Sequence, residues 1–109
     1  MNAQDFDRVI QLITERLRDE YSPEKIILFG SYADGSSRPD SDIDLLIIKQ
    51  TRDRFIDRWI SVRRILSDKN RSIGLETLVL TPEEIANRIS IGDQFIADIM
   101  MNGRLLYAA

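Results

Sequence analysis

The sequence contains no cysteine and no histidine, and these absences narrow the kinds of site that it can build. Without cysteine the chain has neither disulfides nor a thiolate metal site, so clustered acids are its only candidate metal ligands. It also lacks an apolar run near the roughly 20 residues that a membrane-spanning helix needs, and no basic-then-apolar leader opens it. We therefore expect a cytoplasmic protein with no membrane contact.

Internal repeats, low-complexity tracts and linker-like stretches are also missing from the sequence. Its 109 residues, 43% of them hydrophobic, are enough for one core and too few for two. We predict one domain that spans residues 1–109. Its fold class is α/β in the α+β sense, with helices packed mainly on one face of a mixed β-sheet.

Charge is distributed unevenly along the chain, although its net value is only −3. Residues 52–71 carry seven basic and three acidic side chains, which leaves the rest of the chain at −7. This stretch either binds an acidic partner or a polynucleotide, or it is a solvated helix face with local ion pairs. Because the chain is acidic overall, we expect it to be a poor general binder of nucleic acid. The basic residues are Arg52, Arg54, Arg58, Arg63, Arg64, Lys69 and Arg71, and the acids are Asp53, Asp57 and Asp68.

The most informative segment begins where an apolar run, residues 26–29, ends abruptly at Gly30-Ser31. This pattern predicts a buried strand that turns into a short helix. Backbone N–H groups at a helix N-terminus attract anions such as phosphate, and the Ser31 hydroxyl adds a further donor. Gly30 allows the backbone to approach a ligand closely.

Ten residues separate Ser31 from the sequence Asp42-Ile43-Asp44. The apolar run 45–48 that follows is typical of an interior strand. Alternation along a strand places Asp42 and Asp44 on the same face, about 7 Å apart along the chain. Two such carboxylates repel each other unless they share a hard dication such as Mg²⁺. An Asp-x-Asp alone is common at strand edges, but its combination with the strand and the Gly-Ser turn is far more restrictive.

The segment from Gly30 to Ile47 resembles the signature of the polymerase-beta-like nucleotidyltransferases. It reads GSYADGSSRPDSDIDLLI. It is most similar to the minimal nucleotidyltransferase (MNT) family, which provides the antitoxins of HEPN/MNT toxin–antitoxin pairs. The resemblance extends over most of the chain and implies the nucleotidyltransferase fold. It also implies a third carboxylate beside Asp42 and Asp44.

Three acids are candidates for that third position: Glu76, Glu83 and Glu84. The sequence from Thr81 to Glu84 predicts a helix start with a capping box, which gives Glu83 and Glu84 ordinary roles there. Glu76 lies instead among apolar residues of a predicted strand, where an unpaired charge is costly. We therefore favour Glu76 as the third acid, although the alternative that it only marks a strand edge stays open.

The resemblance implies Mg²⁺-dependent transfer of a nucleoside monophosphate, with AMP from ATP the first expectation. Asp42, Asp44 and Glu76 would be the catalytic and metal-binding residues for one or two Mg²⁺ ions, and Gly30, Ser31 and Arg38 would bind the phosphates. Arg38 is the only cation between Gly30 and Asp42. Asp34 departs from the family, because many relatives carry Lys or Arg near it, and it weakens the local positive field.

The resemblance also implies a partner, since the chain has no room for an acceptor-binding domain. The expected partner is a HEPN-type helical toxin that this chain would silence by adenylylating a tyrosine hydroxyl. Two alternatives remain: an antitoxin that acts by binding alone with a vestigial site, and a transferase acting on a small molecule. Self-association is also open.

Hydrophobic periodicity predicts the remaining elements. The apolar spacing of Phe55, Trp59, Val62 and Leu66, widened by Ile56 and Ile60, indicates a helix whose stripe is either core or a partner surface. The apolar face around Phe95, Ile96, Ile99 and Met100 has the same two interpretations. In full, the predicted elements are helices at 3–20, after 31, 51–66 capped by Thr51, from 82, and 93–101, and strands at 25–29, 42–48, 75–80 and 104–107.

Overall fold

The computed structural model describes residues 2–67 and 74–109, and these contain five helices and four strands. Asp68, Lys69 and Arg71 of the predicted basic stretch lie outside the described residues. In chain order the elements are α1 (Ala3–Tyr21), β1 (Lys25–Phe29), α2 (Ser31–Asp34), β2 (Ile43–Ile48), α3 (Phe55–Ile65), β3 (Leu75–Leu80), α4 (Pro82–Ser90), α5 (Gln94–Asn102) and β4 (Arg104–Ala108).

The four strands form one mixed sheet in the order β3-β2-β1-β4. β1 runs antiparallel to both of its neighbours, and β2 and β3 run parallel. The central strands β1 and β2 read as nearly continuous apolar runs because both of their faces are covered. The predicted α+β class and mixed sheet are confirmed.

Helices cover both faces of this sheet, and the larger share lies on one of them. α1 and α3 pack on the first face, over alternate residues of β1 and β2 such as Ile26, Leu28, Leu45 and Ile47. This matches the prediction of helices mainly on one face. The other residues of the same strands contact α4 and α5 in a second, smaller core cluster. The alternation of side chains along each strand divides the core in this way.

Helix α2 is short, and an aromatic pair fixes its position. The Tyr32 ring stacks on Phe6 of α1, with ring centroids 4.5 Å apart and an interplanar angle of 12°. Offset stacking of this kind contributes about 0.5–1.5 kcal/mol beyond the buried area. The turn that leads from β1 into α2 is therefore anchored to the long helix α1.

The structure tests the side-chain caps predicted for α3 and α4. The predicted capping box at α4 is confirmed: the Thr81 hydroxyl accepts from the Glu84 amide, and the Glu84 carboxylate accepts from the Thr81 amide. The prediction that Thr51 caps α3 is wrong, because that helix begins at Phe55 after Arg54. Thr51 instead accepts a hydrogen bond from the Asp53 amide in the preceding turn.

The apolar stripe predicted on α3 divides between two faces of the helix. Val62 and Leu66 are fully buried against the sheet. The other four members point outwards and are 40–50% exposed, so the interpretation of the whole stripe as core is wrong for them: Phe55, Ile56, Trp59 and Ile60.

Arg58 ties α3 to the sheet and to α4. Its guanidinium is almost completely buried and forms an ion pair with Glu84 at 2.6 Å. It also donates to the carbonyl oxygens of Asp53 and Val79, at 2.9 and 3.3 Å. A buried charge is tolerated when it is paired and hydrogen-bonded in this way.

None of the helices in the described segments is both long and apolar enough to cross a membrane.

We expect Arg58→Ala to lower the free energy of unfolding by about 3 kcal/mol, because it removes the donor to the buried Val79 carbonyl and the partly buried Asp53 carbonyl and breaks the ion pair with Glu84. Urea unfolding followed by circular dichroism measures this change. Arg54→Ala is the matched control, since Arg54 is exposed and pairs only with Asp57; its effect should stay within about 0.5 kcal/mol. Equal losses from the two variants would contradict the structural role of Arg58.

Candidate active site

The parallel pairing of β2 with β3 places acidic residues side by side at one edge of the sheet. Asp44 is the register partner of Glu76, and neighbouring strands lie about 4.8 Å apart. On its other side Asp44 is the register partner of Phe29 in β1. Asp42 precedes β2 by one residue and shares the face of Asp44. The fold therefore brings the three predicted acids to one end of two adjacent strands.

Gly30 forms the turn between β1 and α2 and lies directly against Asp44. Its φ of +75° is in the left-handed region that glycine adopts without strain. A Cβ atom at this position would overlap Oδ2 of Asp44. Glycine is needed at this turn for both reasons. The side chain of any other residue would occupy the space that the Asp44 carboxylate fills.

Gly74 plays the same part for the other aspartate. It immediately precedes β3, and its carbonyl accepts a hydrogen bond of 2.8 Å from the amide of Ile43. A Cβ atom on Gly74 would overlap Oδ1 of Asp42. The Asp42 side chain therefore lies over the backbone of the neighbouring strand, one step along from the pair of Asp44 and Glu76.

A cavity of about 510 Å³ opens beside these acids on the face of the sheet that α5 covers. It has a polar side, at Asp44 and Glu76, and an aromatic side, where the Phe29 and Phe95 rings meet edge to face at 5.6 Å. A second cavity of about 190 Å³ shares Gly30 and both rings with the first. The residues that line the larger cavity are Phe29, Gly30, Asp44, Glu76, Thr77, Leu78 and Phe95.

The acids repel one another, and Asp44 is the most affected. Partial burial of its carboxyl raises the pKa of Asp44 above its ordinary value, and the negative charges of Asp42 and Glu76 raise it further. Within residues 2–67 and 74–109, no lysine or arginine forms an ion pair with any of the three. Among the described residues, the charge at this edge of the sheet is therefore left without a cationic partner.

The donor set fits a hard divalent cation, because all three side chains supply carboxylate oxygens and none has a cationic partner in residues 2–67 or 74–109. In the described part of the chain, however, no group of three acidic side chains is arranged so that it could hold a metal ion as it stands. Glu76 is exposed and has freely rotatable bonds. Its carboxylate can therefore turn towards Asp44 without a change in the backbone.

The other predicted site residues lie at different distances from the cavity. Ser31 is half-buried at the beginning of α2 and follows the cavity-lining Gly30. Arg38 is exposed and lines neither cavity; its backbone amide donates to the Ser41 hydroxyl and its carbonyl accepts from the Ser41 amide. Asp34 lines the smaller cavity, and the Ser36 hydroxyl and amide hold the pKa of its carboxyl below the usual value.

Sequence reasoning missed two contributors to the site. Gly74 lies directly before a predicted strand, but its role depends on the parallel register that sets it opposite Asp42. The sequence does not give that register. Phe95 was interpreted only as core or partner surface, but it is 54% exposed and lines both cavities. No local pattern distinguishes these two functions for an aromatic residue on a helix.

A sequence model of the family described as "Polymerase beta, Nucleotidyltransferase" matches residues 11–109. No curated protein matches the chain at a significant level.

Several solved structures share the fold. A protein from Sulfolobus solfataricus, named as a candidate nucleotidyltransferase, is 22% identical with a TM-score of 0.61, covering 93% of this chain and 81% of its own. A toxin–antitoxin structure with AMP-PNP gives 22% and 0.59, and a mutant of the toxin–antitoxin MntA-HpeT gives 20% and 0.63. Each of these two covers 92% of this chain and 73% of its own. At this identity the likeness establishes the fold.

We expect Asp44→Asn to stabilise the metal-free protein at pH 7, by up to about 1 kcal/mol after solvent screening. The raised pKa means that the native state holds the Asp44 proton more tightly than the unfolded chain does. The penalty is therefore fully present above the folded pKa and disappears as the pH falls below about 4. Thermal unfolding of the variant and of the unchanged protein, at pH 7 and at a pH below about 4, measures the difference in stability.

Asp34→Asn is the control for this prediction, because the pKa of Asp34 is lowered and its charge is favourable in the native state. It should give no gain at pH 7. A gain from Asp44→Asn that is equally large at low pH would show that charge is not its cause.

Proposed function

The chain belongs to the polymerase beta nucleotidyltransferase family, and on that premise we propose that it is a Mg²⁺-dependent adenylyltransferase. It transfers AMP from ATP to a hydroxyl of a HEPN-type helical toxin in the cytoplasm and thereby acts as the antitoxin. One observation carries the proposal: Asp44 and Glu76 are register partners at the mouth of the 510 Å³ cavity, with Asp42 beside them.

The three acids have the role of holding the metal. Asp42, Asp44 and Glu76 would bind Mg²⁺, which supplies neutralisation of the triphosphate charge and a lower pKa for the acceptor hydroxyl. The raised pKa of Asp44 supports this assignment, because mutually repelling carboxylates that find no cationic partner among the described residues gain most from a bound dication.

The rest of the cavity would bind the nucleotide. Gly30 keeps the backbone close to the phosphates, and the hydroxyl of Ser31 donates to a phosphate oxygen. Arg38 lies on an exposed loop and lines neither cavity. We assign it a phosphate contact that forms when this loop moves towards the bound nucleotide. Phe29 and Phe95 offer an apolar aromatic wall against which a nucleobase packs.

The reaction is a substitution at phosphorus. A bond forms between the acceptor oxygen and the α-phosphorus, the bond from that phosphorus to the bridging oxygen breaks, and pyrophosphate leaves. The hydroxyl proton passes to the Glu76 carboxylate or to water beside it. The protein contributes positioning and electrostatic stabilisation and forms no covalent intermediate with the substrate.

The partner and the nucleotide are supported by the structural neighbours. Two of them are toxin–antitoxin structures, and one of these contains AMP-PNP, an ATP analogue.

The proposal predicts that the protein, incubated with ATP, Mg²⁺ and a co-purified helical toxin partner, increases the mass of that partner by one AMP group. Intact-protein mass spectrometry measures the change. Asp42→Asn with Asp44→Asn should reduce the rate by about 10³-fold or more, because the metal site and its charge stabilisation are lost. Adding EDTA to the native protein should have the same effect.

A binding-only antitoxin is the second candidate, and it is favoured by the absence of a ready-made three-acid metal site among the described residues. The same double variant separates the two functions. If it still neutralises the toxin and the toxin mass never changes, binding alone is the function. If neutralisation is lost together with the mass increase, transfer is the function.

Gly74→Ala should lower the transfer rate by about 10²-fold while the protein stays folded, because the added carbon displaces the Asp42 carboxylate. Gly92→Ala is the control. No heavy atom lies within 4 Å of its added carbon, and its φ of +85° predicts a loss of stability of about 1 kcal/mol. A normal transfer rate for Gly74→Ala would contradict the placement of Asp42.

A further inference from the structure

The outer face of α3 carries four large apolar side chains that the described parts of the chain leave 40–50% exposed. We refer to Phe55, Ile56, Trp59 and Ile60 as the α3 patch. Large exposed apolar groups that cluster on one surface, with polar groups at its border, mark interaction sites in soluble proteins. The inner face of the same helix already supplies Val62 to the core, so the patch is not needed for folding.

The α3 patch continues into positive charge. Arg63 and Arg64 follow Trp59 and Ile60 by four residues, so each arginine extends a row of the patch by one helical turn. The Arg63 guanidinium carbon lies 5.1 Å from the centroid of the Trp59 ring, in cation–π geometry. The apolar and cationic groups therefore form one continuous surface.

These two arginines lack acidic partners within residues 2–67 and 74–109. The charges of the neighbouring arginines are used elsewhere, since Arg54 pairs with Asp57 and Arg58 pairs with Glu84. Nε of Arg63 is also buried without a hydrogen-bond acceptor in the described structure. A buried donor of this kind is costly until an acceptor arrives.

We propose that the α3 patch docks an amphipathic helix of a partner protein, whose apolar stripe ends in Asp or Glu side chains. The stripe covers the exposed rings and branched side chains, and the carboxylates pair with Arg63 and Arg64. This inference deepens the proposed function by assigning the surface that holds the partner. The patch lies on α3, outside the residues that line the acidic cavity, so docking and transfer can be tested separately.

Other occupants fit the surface less well. A second copy docked patch to patch offers the arginines Asp57 as the one acid of α3, and that carboxylate already pairs with Arg54. An anionic membrane would attract Arg63 and Arg64 but would repel a chain whose net charge is −3.

Trp59 is the only tryptophan, so its fluorescence reports directly on the patch. The probes are two synthetic amphipathic peptides with the same leucine stripe, one ending in glutamates and the other in lysines. The glutamate peptide should shift the Trp59 emission to the blue and bind about tenfold tighter than the lysine peptide. Higher ionic strength should reduce this difference.

Charge reversal provides the decisive variant. Arg63→Glu with Arg64→Glu should exchange the preference, so that the lysine peptide binds about tenfold tighter. Ile56→Ser with Ile60→Ser should weaken the glutamate peptide about tenfold, and circular dichroism checks that both variants are folded. Ile91→Ser is the matched control, since Ile91 is 73% exposed on the α4–α5 connection and should not matter.

Four results would overturn the proposal: no shift with either peptide, equal affinity for both, a shift with phosphatidylglycerol vesicles but not with peptide, or a shift that depends only on protein concentration. The Asp42→Asn and Asp44→Asn double variant should keep the peptide response. Loss of transfer with an intact response therefore concerns the proposed function alone, and loss of the response with intact AMP transfer to a toxin concerns this inference alone.

Discussion

Parallel pairing between β2 and β3 is the constraint on which the rest of the site depends. It sets Asp44 beside Glu76 and places Asp42 over Gly74, at the end of β2, whose residues other than Asp44 are all buried. The apolar sheet fixes these backbones, so the carboxylates cannot separate by moving the chain. Partial burial and the repulsion from Asp42 and Glu76, which together raise the pKa of Asp44, are consequences of that fixed framework.

The two glycines next to the aspartates show how closely the backbone is fitted to the acids. Gly30 follows β1 and Gly74 precedes β3. Each nevertheless faces a carboxylate at a position where a Cβ atom would overlap it. The stacking of Tyr32 on Phe6 anchors the helix that follows Gly30, and the second core cluster holds α5, which carries the cavity-lining Phe95, over the sheet. Structural packing and the chemistry of the site are therefore produced by the same contacts.

The two sides of α3 illustrate a division between folding and recognition. Arg58 and Val62 secure the helix to the sheet and to α4, while the α3 patch and its arginines remain available. A helix that is apolar on both faces is expected to be buried on both. The outer face is exposed instead, and its Arg63 and Arg64 have no acidic partner within residues 2–67 and 74–109, which is the basis of the docking role proposed for this face.

The sequence by itself determined the strands, most helix limits, the capping box at Thr81 and the acids to be considered, because these depend on local periodicity and hydrogen bonding. Only the tertiary structure decided that Glu76 pairs with Asp44, that Gly74 lies under Asp42 and that Phe95 faces the cavity. Strand register and helix docking join residues that are distant in the chain, and no local pattern encodes those distances. The same limit explains why the apolar stripe of α3 could be found but its exposed part could not.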